Sequence, residues 1–442
     1  MSPRHATKSV DVFEGRIDKR GPVCDDFYRK MKKSTRLFVV LALAGLALAQ
    51  QVIEERVTVV NVEVPVRVFR GDRFVDDLTI DDFELLENGR PQTLEAVYLV
   101  KRRAIERRDE VKRFTPQTNR SFFLIFETSE YMPKMGEALD YFLRDVIMPG
   151  DSLTVGTPMK SYRLKPKAFE ARSREEIASQ LKGILIRDTM QGSSEYRDVI
   201  RDLEGLAQAI SLGLSDNQDP MAEKILTIDN AGIEFQGGAT FDEQLNVYAN
   251  TLARLENLRS VDQGQLLRFA DVLKTEGGQK YVYMFYEREF VPKIQPRILY
   301  QYIDAYQDRP DINQTIQGIF EFYKRDVPFD VAKVKQAFAD ASTAIHFLLM
   351  TPPAKMSSVV AYTEQSEDIF SAFSEMAVAT GGFIQNSANP VALMKGAVES
   401  SETYYLLYYT PRPYVKDGTF HEIKVRIKGG GRVVHRLGYF AN

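Results

Sequence analysis

The chain has no tryptophan, one cysteine and four histidines among its 442 residues. Cys24 lies ahead of every stretch that reads as folded, so the remainder needs no disulfide chemistry. His5 also lies in that leading stretch, His346 sits inside an apolar run, and His421 and His435 fall near the end of the chain. That distribution leaves no zinc constellation, and no H-E-x-x-H, C-x-x-C or G-x-S-x-G occurs. No G-x-x-x-x-G-K follows a strand, and Gly429-Gly430-Gly431 lies between strand patterns, where it reads as a turn. The lack of tryptophan removes the usual aromatic platform of a glycan subsite. Tyr281 and Tyr283 alternate with Val282 and Met284, the pattern of side chains packed on a sheet face.

What is present is an ordinary folded composition, 44% apolar and 27% charged. Residues 1–30 are polar and aperiodic. At Met31 a basic head, Met31-Lys32-Lys33-Ser34-Thr35-Arg36, precedes an apolar run from Leu37 to Leu46 and then Ala47-Leu48-Ala49. This is the layout of a secretory signal peptide cleaved after Ala49, too short to span a bilayer comfortably. Translation from Met31, with 1–30 an upstream artefact, is one reading, and an internal anchor is the other. Residues 50–442 hold 48 basic and 56 acidic residues, a mildly acidic balance that argues against a nucleic-acid partner. No membrane span is expected in the mature chain.

Residues 50–100 alternate apolar and polar side chains and contain Asn88-Gly89, a strong hairpin signal, which predicts a small β-module. Residues 101–119 are charge-rich and read as a solvated linker or exposed helix. From 120 to 400 strand and helix patterns alternate, which predicts an α/β domain with a mostly parallel sheet. Buried-strand candidates are Phe122–Phe126, Ser152–Thr157, Lys280–Tyr286, Ala344–Met350 and Gly382–Gln385, with Ser161–Phe169 as a polar edge strand. Ser173-x-x-Glu176 is a capping box, and Asn389-Pro390 opens another helix. Ile186–Gly238 and Pro292–Val327 read as polar helical elaborations. Residues 401–442 return to strands, with Phe420–Ile427 and Val433–Tyr439 expected to form a hairpin. Each β segment is too small to bury a core alone, so pairing of the N- and C-terminal segments into one small β-sandwich, with the α/β domain inserted, is the economical arrangement.

The organising stretch is Ser121-Phe122-Phe123-Leu124-Ile125-Phe126-Glu127-Thr128-Ser129-Glu130-Tyr131. Five apolar residues end in an acid and two hydroxyls, and Pro133 then opens a helical pattern. In open α/β sheets ligands bind at such loops. Glu127 and Ser129 either cap the following helix or belong to a site.

This strand and loop resemble the first strand and metal loop of a von Willebrand factor A (VWA) domain, whose Asp-x-Ser-x-Ser positions are Glu127, Ser129 and Tyr131 here. The order of Asp81–Gly89, Phe126–Met132, Ala379–Gly382, Tyr404–Pro411 and Asp417–Val425 is similar to that of secreted bacterial VWFA-related proteins of the acidobacterial type. The resemblance implies a Rossmann-like VWA fold used for protein–protein binding, not catalysis, in the envelope or extracellular space. It also implies metal positions at Glu127, Ser129, Thr240 and Glu287. Glu in place of Asp at 127 and 287, and Tyr131 in place of a serine, point to a degenerate site with weak or absent Mg²⁺ binding and no other cofactor. The alternative is a secreted glycan hydrolase using acids such as Glu127, Glu287 and Glu289.

Overall fold

Alternation in Val62–Arg70 (β1) puts Val62, Val64, Val66 and Val68 on one face, and that face needs a cover. The computed structural model describes residues 60–213, 240–324, 329–353, 355 and 357–442. Segments 1–30 and 31–49, with Cys24 and the cleavage position after Ala49, lie outside the described residues, as do 214–239 in the first helical elaboration and the Gly237–Ala239 loop ahead of Thr240. The cover for β1 comes from the far end of the chain. β1 pairs antiparallel with Thr403–Tyr409 (β15) on one side and Arg432–His435 (β17) on the other. Arg73–Phe74 (β2) folds back on β1, while Leu94–Lys101 (β5) takes the free side of β15. A second antiparallel sheet joins Phe83–Glu87 (β3) and Arg90–Gln92 (β4) to Phe420–Ile427 (β16) and Gly438–Phe440 (β18). The two sheets share one apolar core of β1 valines with Leu85, Val97, Tyr405, Leu407, Ile423 and Val425. Inside it Glu87 accepts from Tyr409 Oη (2.6 Å) and Tyr439 Oη (3.2 Å) and faces His421 Nδ1 at 2.8 Å.

Two expectations are corrected here. The charge-rich segment 101–119 is not a linker throughout, because Ala104–Glu110 (β6) is an edge strand on β5. Its charged side chains suit a one-sided edge, where they discourage further pairing. Val433–Tyr439 is also not one hairpin strand against β16. The chain breaks at Arg436–Leu437, and its two halves join different sheets.

The α/β part is built on a six-stranded sheet. Arg120–Glu127 (β7) lies at its centre, with Ser152–Gly156 (β8) and Ser161–Leu164 (β9) on one side. On the other side are Gln279–Glu287 (β10), Thr343–Met350 (β12) and Ile384–Ser387 (β14). Pairing is parallel except between β8 and β9. Among the described residues the chain is therefore mixed α/β, with one mixed sheet and otherwise antiparallel ones. Helices Pro133–Tyr141 (α1), Arg174–Gly192 (α3) and Pro390–Glu402 (α11) bury one sheet face. Gln263–Thr275 (α6), Val331–Asp340 (α9) and Glu367–Ala379 (α10) bury the other. The expected edge strand beyond Leu164 is instead a short helix, Pro166–Ala171 (α2), because Pro166 sits at its first turn.

The stretches expected to be polar elaborations carry an apolar core, which they share with the helix Phe241–Leu258 that lies between them. Ser194–Gly213 (α4), Phe241–Leu258 (α5), Pro296–Ala305 (α7) and Pro310–Phe322 (α8) gather around Leu203, Leu252, Tyr248, Leu299 and Ile316. The small hairpin of Phe290–Lys293 (β11) and Ala361–Glu364 (β13) closes that cluster. Gly381 and Gly382 follow α10, and only glycine fits there. Gly381 has φ +69°, and a Cβ on Gly382 would meet Ile345 O at 1.6 Å.

Candidate functional site

β7 continues to β8 on one side of the sheet, while β10, β12 and β14 extend it on the other. Where chain order reverses between two neighbouring parallel strands, their outgoing loops diverge and leave a crevice. That reversal falls between β7 and β10, which carry Glu127 and Glu287 as the last residues at their carboxyl ends.

The loop after β7 is tied down along its length. Glu287 Oε2 accepts from Ser129 N (2.6 Å), Ser129 Oγ (2.8 Å) and Glu130 N (3.3 Å). From the other side Ser193 Oγ donates to Thr128 O at 2.9 Å and Arg197 Nη1 to Ser129 O at 2.7 Å. Neither Glu127 nor Ser129 caps α1. The capping position is Met132, and Pro133, having no N–H, needs no acceptor. Burial pushes the Glu287 carboxyl above its usual range, against the opposing pull of the Ser129 bonds.

Of the four expected metal positions, the structure brings together Ser129 and Glu287. Glu127 lies opposite Tyr286 in the β7–β10 register, so it leaves the sheet on the face opposite to Glu287. It is exposed by surface area yet crowded enough by protein that desolvation pushes its carboxyl up to about 7. Thr240 is the N-cap of α5, accepting from Glu243 N while its own amide donates to Glu243 Oε2 at 2.9 Å. Tyr131 packs against the core on the α1 side. Mg²⁺ asks for about six oxygens in a near-octahedral shell. Of the other three expected oxygen donors only Ser129 reaches Glu287, and it does so as a hydrogen-bond donor; Glu127 leaves by the opposite face and Thr240 serves as a helix cap. These residues do not fit a magnesium ion as a set.

Just past the end of β10 lies a network that the sequence did not flag beyond Glu289. The buried Arg259 guanidinium pairs with Glu289 and donates to Gln365 O, and Tyr286 Oη donates to Glu289 Oε1 at 2.8 Å. Burial raises the Glu289 carboxyl, with Arg259 opposing. Arg259 is the first residue past α5 and carries no local motif, so only the tertiary fold shows its role. Arg197 and Ser193 were missed for the same reason. Glu287 and Glu289 are thus both engaged by fixed donors, which leaves Glu127, of the three acids considered for a hydrolase, without such a bond among the described residues.

No family model matches the chain, and no curated protein matches it. Among solved structures it is similar to the human COPII-coat protein Sec24c, at 8% identity and a TM-score of 0.24, over 74% of this chain and 44% of that one. The chain thus spans less than half the length of that protein, and a likeness this loose bears on neither fold nor function. No helix among the described residues is long and apolar enough to cross a membrane.

Proposed function

We propose that this chain is a VWA-like binding protein that acts outside the cytoplasmic membrane. It recognises another protein with the loops beyond β7 and β10, without catalysis and without a working metal site. The observation that carries this is the Glu287 carboxylate bound directly to the Ser129 hydroxyl and two loop amides. In the VWA arrangement a cation would bridge those loops; here the Glu287 side chain itself bonds the loop. The strand order supports the fold reading. Numbered by chain order within the sheet it runs 3-2-1-4-5-6 with an antiparallel edge strand, the order of doubly wound domains. The leader-like segment 31–49 supports export.

Glu127 favours a second reading, a carboxylate-dependent glycan hydrolase, because an acid near 7 can exchange protons at neutral pH. Against it stands the pairing of the other two acids, since such hydrolases need two acting carboxyl groups. A photo-crosslinker at exposed Glu130 tests the binding reading in the native envelope fraction. One discrete adduct is expected, displaced by unlabelled wild-type protein and not by Glu130→Lys. Reducing-sugar release from envelope glycans that Glu127→Gln abolishes would transfer the assignment to the hydrolase.

A further inference from the structure

At the opposite end of the central sheet a cavity of about 30 Å³ lies on the seam between the sandwich and the α/β part. Its walls come from β1, the amino ends of β10 and β12, the turn after α10, the start of β15 and Arg436. Three cationic side chains line it, Arg67, Lys280 and Arg436, each more than nine-tenths buried. Among the described residues none forms an ion pair with a carboxylate. Their bonds go to backbone carbonyls: Arg67 to Ser400 O, Lys280 to Glu276 O (3.1 Å), and Arg436 to Glu63 O (2.7 Å) and Ala339 O (3.4 Å). Two polar atoms of the lining, Arg436 Nε and Tyr404 Oη, are buried without a well-formed hydrogen bond, and the hydroxyl that interacts with Tyr404 is that of Tyr281.

Burying a cation without a counter-charge is costly, and buried donors are ordinarily satisfied. The neighbouring acids only partly answer. Asp340 is paired with Lys274 and Glu276 with Arg163. Glu63 is taken up by Gln279 Nε2 at 2.8 Å and by Tyr408 Oη. The carbonyls at the ends of α6, α9 and α11 supply about half a negative charge each. With Glu63 counted in full, about half a positive charge remains in excess. The cavity holds roughly two water-sized spheres, since a single water needs about 10–15 Å³ by this measure. Excess charge, poorly bonded donors and size agree on one occupant.

We propose that this cavity binds one small inorganic anion, of halide or tetrahedral-oxyanion size, held by Arg67, Lys280 and Arg436 with Tyr404 Oη as a further donor. The anion neutralises the seam and fastens β1 and β15 to β10 and β12. This proposal is independent of the binding face at the other end of the sheet.

The test uses the full chain in a gluconate buffer of constant ionic strength, to which chloride, sulfate or phosphate is added while Tm and calorimetric heats are followed. A saturable rise in Tm with chloride or with sulfate is expected, and gluconate gives none. Preference for chloride identifies a halide site, and preference for sulfate and phosphate an oxyanion site. Tyr404→Phe keeps the shape and removes one donor, so it lowers affinity about three- to tenfold. Arg436→Met abolishes the response, and Arg254→Gln, exposed on α5, leaves it intact. Lys280 is faced by Arg436, Glu63, Glu276 and Asp340, and burial lowers its ammonium to about 8. Sulfate does not titrate here, so its affinity falls as pH rises through about 8. The proposal is overturned if no anion gives a saturable response. It is equally overturned if Tyr404→Phe, which should fold normally, responds as the wild type does.

Discussion

Glu127 is the residue whose environment makes the most definite demand on experiment. Its folded carboxyl stands at about 7 against 4.5 for the free group, and no neighbouring charge causes the rise. The folded state therefore keeps a proton between about pH 4.5 and 7 that the unfolded chain gives up. Stability from this group is full below 4.5 and is lost as pH rises through 7. Glu127→Gln removes the dependence. Its Tm should match the wild type near pH 4 and exceed it at pH 8, and a constant difference across that range would refute the assignment. The chemistry at this position was legible in part. An acid closing an apolar run pointed to a strand end facing a loop. Which face of the sheet it left by was set by the β7–β10 register, which a single strand does not contain. Glu287 was legible as a partner position for the same loop, but not as the acceptor of three of its donors. Arg259 and Arg197 stayed hidden because a lone arginine near a helix end looks like any solvated one.

At the scale of elements, local signals worked where the physics is local. Ser173 and Glu176 form their reciprocal cap, with Glu176 N at 3.2 Å from Ser173 Oγ. Asn389 caps α11 through Val391 N at 3.1 Å. Unbroken apolar runs marked β7, β10 and β12 because strands covered on both faces need no polar alternation. They failed where context decided. The charges of Ala104–Glu110 hid an edge strand, and the polar faces of α4, α5, α7 and α8 hid a core that forms only when those helices meet. The latch between the β7 loop and β10 yields a prediction at this scale. Ser129→Ala removes one hydrogen bond to a buried carboxylate, at a cost of about 1–3 kcal/mol. Glu287→Ala also strands two loop amides and should cost more. Urea unfolding measures both. In Glu287→Ala the Ser129 and Glu130 amides should exchange fast while β7 amides stay protected. Unchanged loop protection would mean that Ser193 and Arg197 hold the loop alone.

The whole molecule turns on strands contributed from its two ends. β15 lies between β1 and β5, and β16 between β3 and β18, so neither sheet exists without residues beyond 402. Alternation in Val62–Val68 showed a face in need of burial, but the partner, more than 330 positions away, followed from neither segment by itself. The C-terminal strands place Tyr405, Leu407, Tyr409, Ile423, Val425, Ile427 and Tyr439 in the shared core. At about 1.5–3 kcal/mol for each large buried side chain, their loss matches or exceeds the roughly 5–15 kcal/mol that holds a typical domain folded. The central sheet is less exposed to that loss, because β7, β10 and β12 pair with one another and are covered by their own helices. A chain ending at Glu402 should therefore lose hydrogen-exchange protection throughout β1, β3 and β5 while β7 and β10 keep theirs. Loss in all five would show that the sandwich is needed to fold the α/β part. Protection retained in β1 and β5 would mean that the N-terminal strands hold together unaided, against the interleaved pairing on which both sheets depend.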